Sequence, residues 1–407
     1  MAVTRRILLG ATLTAASLPA IGRQARAESP TIKIGVLNDQ SGTYRDLSGP
    51  VSITCAKQAI EEFGSHGFNV DIVSADHQNK PDVATSIASE WFDKGVDMVI
   101  DVPTSSVGLA IQGVAKEKNK VCINTASATS ALTGEQCSPN GVHWVFDTYM
   151  LSKSTGGAMV KAGGTSWFFI TADYAFGKQL QNDTTAMINA AGGKVLGSVA
   201  YPFPNTTDFS SLLIQAQASG AKVLGLANAG ADTINSVKQA NEFGINSKMK
   251  VATLLMFITD VHSLGLDVAK GLVLTESFYW DLNDRTRAWT KRVLPKINGT
   301  YPTMNHAGVY SGTLHYLKTV AAMGAAEAKK DGRATVAKMK SLEVDDDCFG
   351  KTTIREDGRH LVASYLFEVK TPAESKGPWD YYKLLATTPA DQAFRPLAEG
   401  HCAFVKA

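Results

Sequence analysis

From Thr31 onward the chain alternates short apolar runs with amphipathic stretches. Residues 31–37 predict a strand and 49–63 a helix, because apolar residues recur at the period of each. Further strands are predicted over 68–73, 96–100 and 121–124, separated by helices over 81–94 and 107–119. Pro81 stands where a first-turn proline fits, since the N–H it lacks has no partner there. The same grammar then restarts, with strands over 167–171, 194–199, 223–227 and 251–255 and helices over 176–191, 208–219 and 232–243. The run Gly95–Ile100 is echoed by Gly220–Gly225, each after an amphipathic helix that begins near an aspartate, Asp82 or Asp208.

Strand–helix alternation predicts parallel strands joined by right-handed crossovers. The expected fold class is therefore α/β, with two doubly wound Rossmann-like lobes. Such lobes leave a cleft between them, and in open parallel sheets ligands sit beyond the carboxyl ends of the strands. The loops after Val36, Ile100, Asn124, Thr171, Ala227 and Leu255 are where function is expected.

Composition narrows the class without naming a chemistry. Of 407 residues, 44% are hydrophobic and 19% charged, which excludes disordered and collagenous chains. The 40 basic and 38 acidic residues give +2, no electrostatic footprint for nucleic acid or an anionic membrane. Residues 1–27 read as a signal peptide: Arg5-Arg6, an apolar stretch from Ile7 to Ile21, then Ala25-Arg26-Ala27. That stretch is short of the ~20 residues a spanning helix needs and is broken by Pro19. Thr4-Arg5-Arg6-Ile7-Leu8-Leu9 resembles a twin-arginine signal, although Leu8 replaces the usual phenylalanine. Arg5, Arg6, Arg23 and Arg26 fall in this segment with no acid, so its removal turns the formal +2 into −2. A faintly acidic chain must recognise an anion through local N–H and hydroxyl groups.

Enzyme signatures are missing: no G-x-G-x-x-G follows a strand, no H-E-x-x-H or G-x-S-x-G occurs, and Gly350-Lys351-Thr352 has Asp345 where a phosphate loop needs glycine. No cofactor or metal is expected. The five cysteines lack metal-ligand spacing. In an oxidising compartment two disulfides are expected, Cys122–Cys137 across a Ser/Thr/Gly-rich loop and Cys348–Cys402 as the late pair, with Cys55 free on a helix.

Two loops carry hydroxyls. Thr104, Ser105 and Ser106 precede a predicted helix, where free N–H groups and the helix dipole favour an anion; an ordinary N-cap at Ser105 or Ser106 reads equally well. The loop Ala126-Ser127-Ala128-Thr129 follows the next strand of the same half. These loops, the opening Ile34-Gly35-Val36-Leu37-Asn38-Asp39-Gln40-Ser41-Gly42-Thr43-Tyr44, and Thr171-Ala172-Asp173-Tyr174-Ala175-Phe176-Gly177 resemble the leucine/isoleucine/valine-binding protein family. These are the type I periplasmic substrate-binding proteins of ABC importers.

The resemblance implies two lobes joined by a three-segment hinge near 147–150, 275–280 and 355–366 that closes over a ligand. It assigns 28–148 plus 277–358 to the first lobe and 149–276 plus 359–407 to the second. It implies a carboxylate end at Ser105 or Ser106 and Ala126–Thr129, an aromatic position at Tyr44, and second-lobe positions at Tyr174, Phe176, Asn228 and Ala229. The family's acid for a ligand ammonium aligns near Leu255 or Met256, so that carboxylate is missing. Glu242 or Glu276 would compensate only from a different place. An apolar wall of Met256, Phe257, Phe176, Tyr174 and Trp280, with Phe278 in the core, suits an aromatic acid; His306 reads as a ring-hydroxyl donor or as a surface histidine. The expected protein is a periplasmic monomer that hands a small carboxylate to an inner-membrane ABC permease. A branched-chain amino acid receptor and a ligand-sensing periplasmic receptor are the alternatives, with an enzyme a weak third.

Overall fold

The computed structural model describes residues 29–405 together with the first two; the signal-peptide reading of 1–27 lies outside the described residues. Strands β1 (Thr31–Asn38), β2 (Asn69–Asp76), β3 (Met98–Asp101), β4 (Val121–Asn124) and β5 (Gly141–His143) form one parallel sheet in the order β2-β1-β3-β4-β5. Strands β6 (Ser166–Ala172), β7 (Lys194–Tyr201), β8 (Val223–Ala227) and β9 (Lys250–Thr253) form a second in the order β7-β6-β8-β9. The second sheet repeats the order of the first, as expected from the restarting pattern. The central strands β1, β3, β4, β6 and β8 are apolar almost throughout because helices cover both faces. Helices α1 (Gly49–Phe63), α2 (Pro81–Asp93) and α3 (Ser105–Glu117) lie close to their expected bounds.

The later chain departs from simple alternation. Strand β10 (Val273–Glu276) pairs antiparallel with a later strand. Strands β11 (Val344–Asp346), β12 (Gly350–Ile354) and β13 (His360–Leu361) make a small antiparallel sheet, and β10 joins β14 (Ser364–Val369) and β15 (Tyr382–Thr388) in the order β10-β14-β15. That sheet packs into the second half through Leu274, Phe367, Val369 and Tyr382, which share a core with Met256 and Val261. The helix Met304–Met323 packs instead on α1 of the first half.

The cysteine expectation needs correction. Cys137 is bonded to Cys402, with Cα atoms 5.6 Å apart, while Cys55, Cys122 and Cys348 are buried and free. Cys122 sits inside β4 and cannot swing to the loop that carries Cys137. Burial raises all three thiols, Cys122 to about 12, so they stay protonated and unreactive. The C-terminal end, expected with the second lobe, is thus fastened to the first. Among the described residues no helix is long and apolar enough to cross a membrane, and no His/Cys/Asp/Glu cluster has metal-binding geometry.

Candidate functional site

Both sheets reverse strand order at their centre, between β1 and β3 and between β6 and β8. This is where a crevice opens beyond the strand ends. The two crevices face each other across a narrow cleft. The first half supplies Tyr44 and Leu47 after β1, Pro103, Thr104 and Ser105 after β3, Ala126 and Ala128 after β4, and Phe146 after β5. The second half supplies Tyr174 and Phe176 after β6, Ala229 after β8, and Leu255 and Phe257 after β9. The halves touch directly: Ala231 N–H donates to Thr43 O at 3.1 Å, and a Cβ on Gly230, whose φ is +60°, would lie 2.5 Å from that oxygen. Glycine is what permits this approach. The lobes are in contact and the cleft between them is thin, with a cavity volume of only about 10 Å³. An occupant larger than water therefore requires the lobes to part.

The first loop is shaped by Asp39, whose carboxylate accepts from the N–H groups of Gly42 (2.7 Å) and Tyr44 (2.8 Å) and from Asn79 Nδ2 (2.6 Å). This fixes Tyr44, whose hydroxyl is hydrogen-bonded across the cleft to that of Tyr174. Phe203 stacks on both rings, at 4.3 Å from Tyr174 and 5.4 Å from Tyr44. Burial raises both phenols, and the nearby charge of Asp232 adds to this. Asp232 does not line the cavity; it accepts from Tyr201 Oη at 2.7 Å, and burial lifts it to about 7.

The hydroxyl loop is strained. Asp101, Val102 and Thr104 have φ of +85°, +55° and +79°, a region that costs a β-branched residue of order 1–3 kcal/mol. The surroundings over-determine it. The buried Asp101 carboxylate accepts from Ser48 Oγ (2.7 Å), Asn38 Nδ2 (2.9 Å), Asn305 Nδ2 (2.9 Å) and Thr125 Oγ1 (3.3 Å). Ser127 Oγ donates to the carbonyls of Val102 and Thr104. Helix α3 begins at Ser105, two residues earlier than expected, so neither Ser105 nor Ser106 is an N-cap; Thr104 holds that position without a side-chain cap. Ser105 Oγ accepts from Ala128 N–H at 3.2 Å and Thr129 N–H at 3.1 Å, which leaves its own proton to donate into the cavity. The Ser105 hydroxyl, polarised by these two N–H donors and set at a helix N-terminus, can donate to a carboxylate.

Of the residues expected at the site, Tyr44, Thr104, Ser105, Ala126, Ala128, Tyr174, Phe176, Ala229 and Phe257 come together around the cavity, while Ser106, Ser127, Thr129, Asn228, Met256, Trp280 and His306 do not. Ser106 is half-exposed one position along α3, while Ser127 and the Thr129 side chain brace loops, the latter capping a short turn through Ala131 N–H. Asn228 binds Thr233 and Ser236, pinning the next helix, and its neighbour Ala229 faces the cavity. Met256 points into the second-half core while Leu255 and Phe257 flank the cavity, because an extended segment sends successive side chains to opposite sides.

Trp280 lies elsewhere, its indole N–H donating to Trp379 O at 2.8 Å. His306 caps the helix Met304–Met323: its Nδ1 accepts from Thr303 N–H (3.1 Å) and its Nε2 donates to Ser48 O (2.9 Å), with burial depressing it to about 4. Both ring nitrogens are used, so it is no pocket donor. Phe278 is in the core, edge-on to Trp289. Leu47, Pro103 and Phe146 were not expected, although each follows a first-sheet strand end, which was the available signal. Among the described residues no Asp, Glu, Lys or Arg lines the cavity. Glu242 is exposed, and Glu276 is locked to Ile258 N–H and Tyr382 Oη.

A two-lobed α/β receptor with a closed, uncharged interlobe cavity defines a solute-binding protein. Residues 31–378 match the periplasmic binding protein family, and the chain belongs to it. A periplasmic binding protein from Burkholderia mallei is 47% identical, with TM-score 0.89 over 92% of this chain and 99% of that one. A branched chain amino acid ABC transporter periplasmic ligand-binding protein from Burkholderia xenovorans LB400 is 40% identical, with TM-score 0.79 over 92% and 99%. A Leu/Ile/Val-binding protein homolog 6 from Brucella melitensis is 26% identical over 88% of this chain and 92% of its own length. The chain is an ABC-transporter solute-binding protein of the periplasm that takes a small molecule to a permease. Family and relatives are binding proteins, not enzymes.

Proposed function

We propose that the cleft captures a small carboxylic acid with an aromatic body. The observation that carries this reading is the lining: Ser105, whose hydroxyl accepts from the Ala128 and Thr129 N–H groups and keeps its own proton to donate, faces a wall of Phe176, Leu255 and Phe257 that holds no acid for an ammonium. An ammonium buried there without a charged partner costs several kcal/mol. The ligand bridges the lobes and shifts the population toward the closed form, the first lobe (28–148 plus 277–358) gripping the carboxylate and the second covering the ring. Export by the twin-arginine route, removal of residues 1–27 and action as a monomer complete the reading. A branched-chain amino acid is the second candidate, favoured by the name of the Burkholderia xenovorans relative.

Stripped protein, unfolded and refolded, is screened by thermal shift against benzoates, hydroxycinnamates and phenylacetates. For the acid with the largest shift, Ser105→Ala should weaken binding by about 1–3 kcal/mol, the loss when a charged group loses a donor. Ser106→Ala should leave affinity unchanged. Equal affinities for the wild type and Ser105→Ala would move the carboxylate elsewhere.

A further inference from the structure

After β15 the chain leaves the second half and crosses to the first, where Cys402 is bonded to Cys137. The crossing segment is closely docked. Arg395 Nη2 donates to Ser130 O at 3.1 Å, and Arg355 Nη1 donates to Arg395 O at 2.9 Å. Gly134 lies beneath it, where a Cβ would meet Arg395 and come within 2.9 Å of Gly400 O. The Phe394 ring lies 4.4 Å from the guanidinium of Arg359, a buried residue 3.7 Å from Asp147 and hydrogen-bonded to Phe146 O in the cavity wall. The segment thus touches the crossover at 355–359 directly and reaches Asp147 through Arg359.

What it braces has a consequence for the cleft. Ser130, whose carbonyl Arg395 holds, donates through its hydroxyl to Asp183 Oδ2 at 3.2 Å on the second-half helix Ala175–Ala190, and Thr148 Oγ1 donates to the same oxygen at 2.6 Å. The loop from Ala126 to Cys137 therefore carries the Ala128 and Thr129 N–H groups at one end, a contact between the halves in the middle and the disulfide at the other. We infer that the Cys137–Cys402 bond makes the C-terminal segment a fourth connection between the lobes, a brace that keeps this loop in place and biases the molecule toward its closed form. The segment is already tethered through β15, and the bond adds a second tether at its far end that raises its effective concentration at the docking surface. The inference rests on the two-lobed fold and is independent of which ligand is bound.

The test uses ligand-stripped mature protein and its Cys137→Ser/Cys402→Ser double variant. Hydrogen exchange should quicken by about tenfold or more across both 126–137 and 389–405, with α2 unchanged, and small-angle scattering should give a larger radius of gyration. Faster exchange in the tail alone, or an unchanged radius, would overturn the inference. Should the double variant not fold, wild-type exchange decides: 126–137 and 389–402 should open as one unit, and a tail exchanging far faster than the loop contradicts the brace.

Discussion

Asp101→Ala should be strongly destabilising, by about 3–5 kcal/mol, because it removes the acceptor shared by Asn38, Ser48, Asn305 and Thr125 and leaves buried donors unsatisfied. These donors come from the end of β1, the first loop, the residue after β4 and the helix Met304–Met323, so one carboxylate ties together the parts that frame the anion-holding loop. It also holds Asp101, Val102 and Thr104 in their left-handed backbone. Asp101→Asn should cost less, since one amide oxygen still accepts. Urea unfolding of the two variants checks this; a loss under about 1 kcal/mol for alanine would mean that the strained loop is held by other contacts.

Glu276→Gln should change the alkaline limb of stability. Glu276, at the end of β10, is raised to about 8 by burial, and Asp260, capping the helix Ile258–Leu264, is raised to about 7 for the same reason. A carboxyl whose folded pKa lies above its unfolded value keeps a proton that the unfolded chain has lost, so stability falls as pH rises toward the folded pKa. The slope is about 1.4 kcal/mol per pH unit for each such group. Buried neutral histidines act on the other side: His77, His306 and His315 are depressed to about 4, so stability is lost as pH falls below their ordinary value. Between pH 6.5 and 8 the acids dominate. Glutamine keeps an oxygen for Ile258 N–H and Tyr382 Oη without the ionisation. Glu276→Gln should therefore flatten the decline by about 1.4 kcal/mol per pH unit and exceed the wild type at pH 8. Identical slopes would show that Glu276 is ionised in the folded protein.

Both parallel sheets and most of their helices were legible because strand–helix alternation reports burial on both faces of a sheet. Strand β5, three residues long, and the β10-β14-β15 sheet were not, because strands that short or that far from their partners leave no periodic trace. The site was legible where it follows a strand end in regular order. It failed at Met256 by one residue, and one residue in an extended segment reverses the face. It failed at His306 and Trp280 because a cap and a carbonyl partner capture those side chains, which sequence alignment does not reveal. The disulfide is not legible from spacing, because nearness in sequence is not nearness in space: Cys137 and Cys402 are 265 residues apart. Among the described residues the cavity lining is uncharged.

The central claim is that this cavity suits a carboxylate without an ammonium. Isothermal calorimetry on refolded, ligand-free mature protein, titrated in parallel with benzoates, hydroxycinnamates, phenylacetates and leucine, tests it most directly. An aromatic acid should bind at least about a hundredfold more tightly than leucine, as expected when an ammonium is buried unpaired. Tight binding of leucine with no heat from any aromatic acid would contradict it.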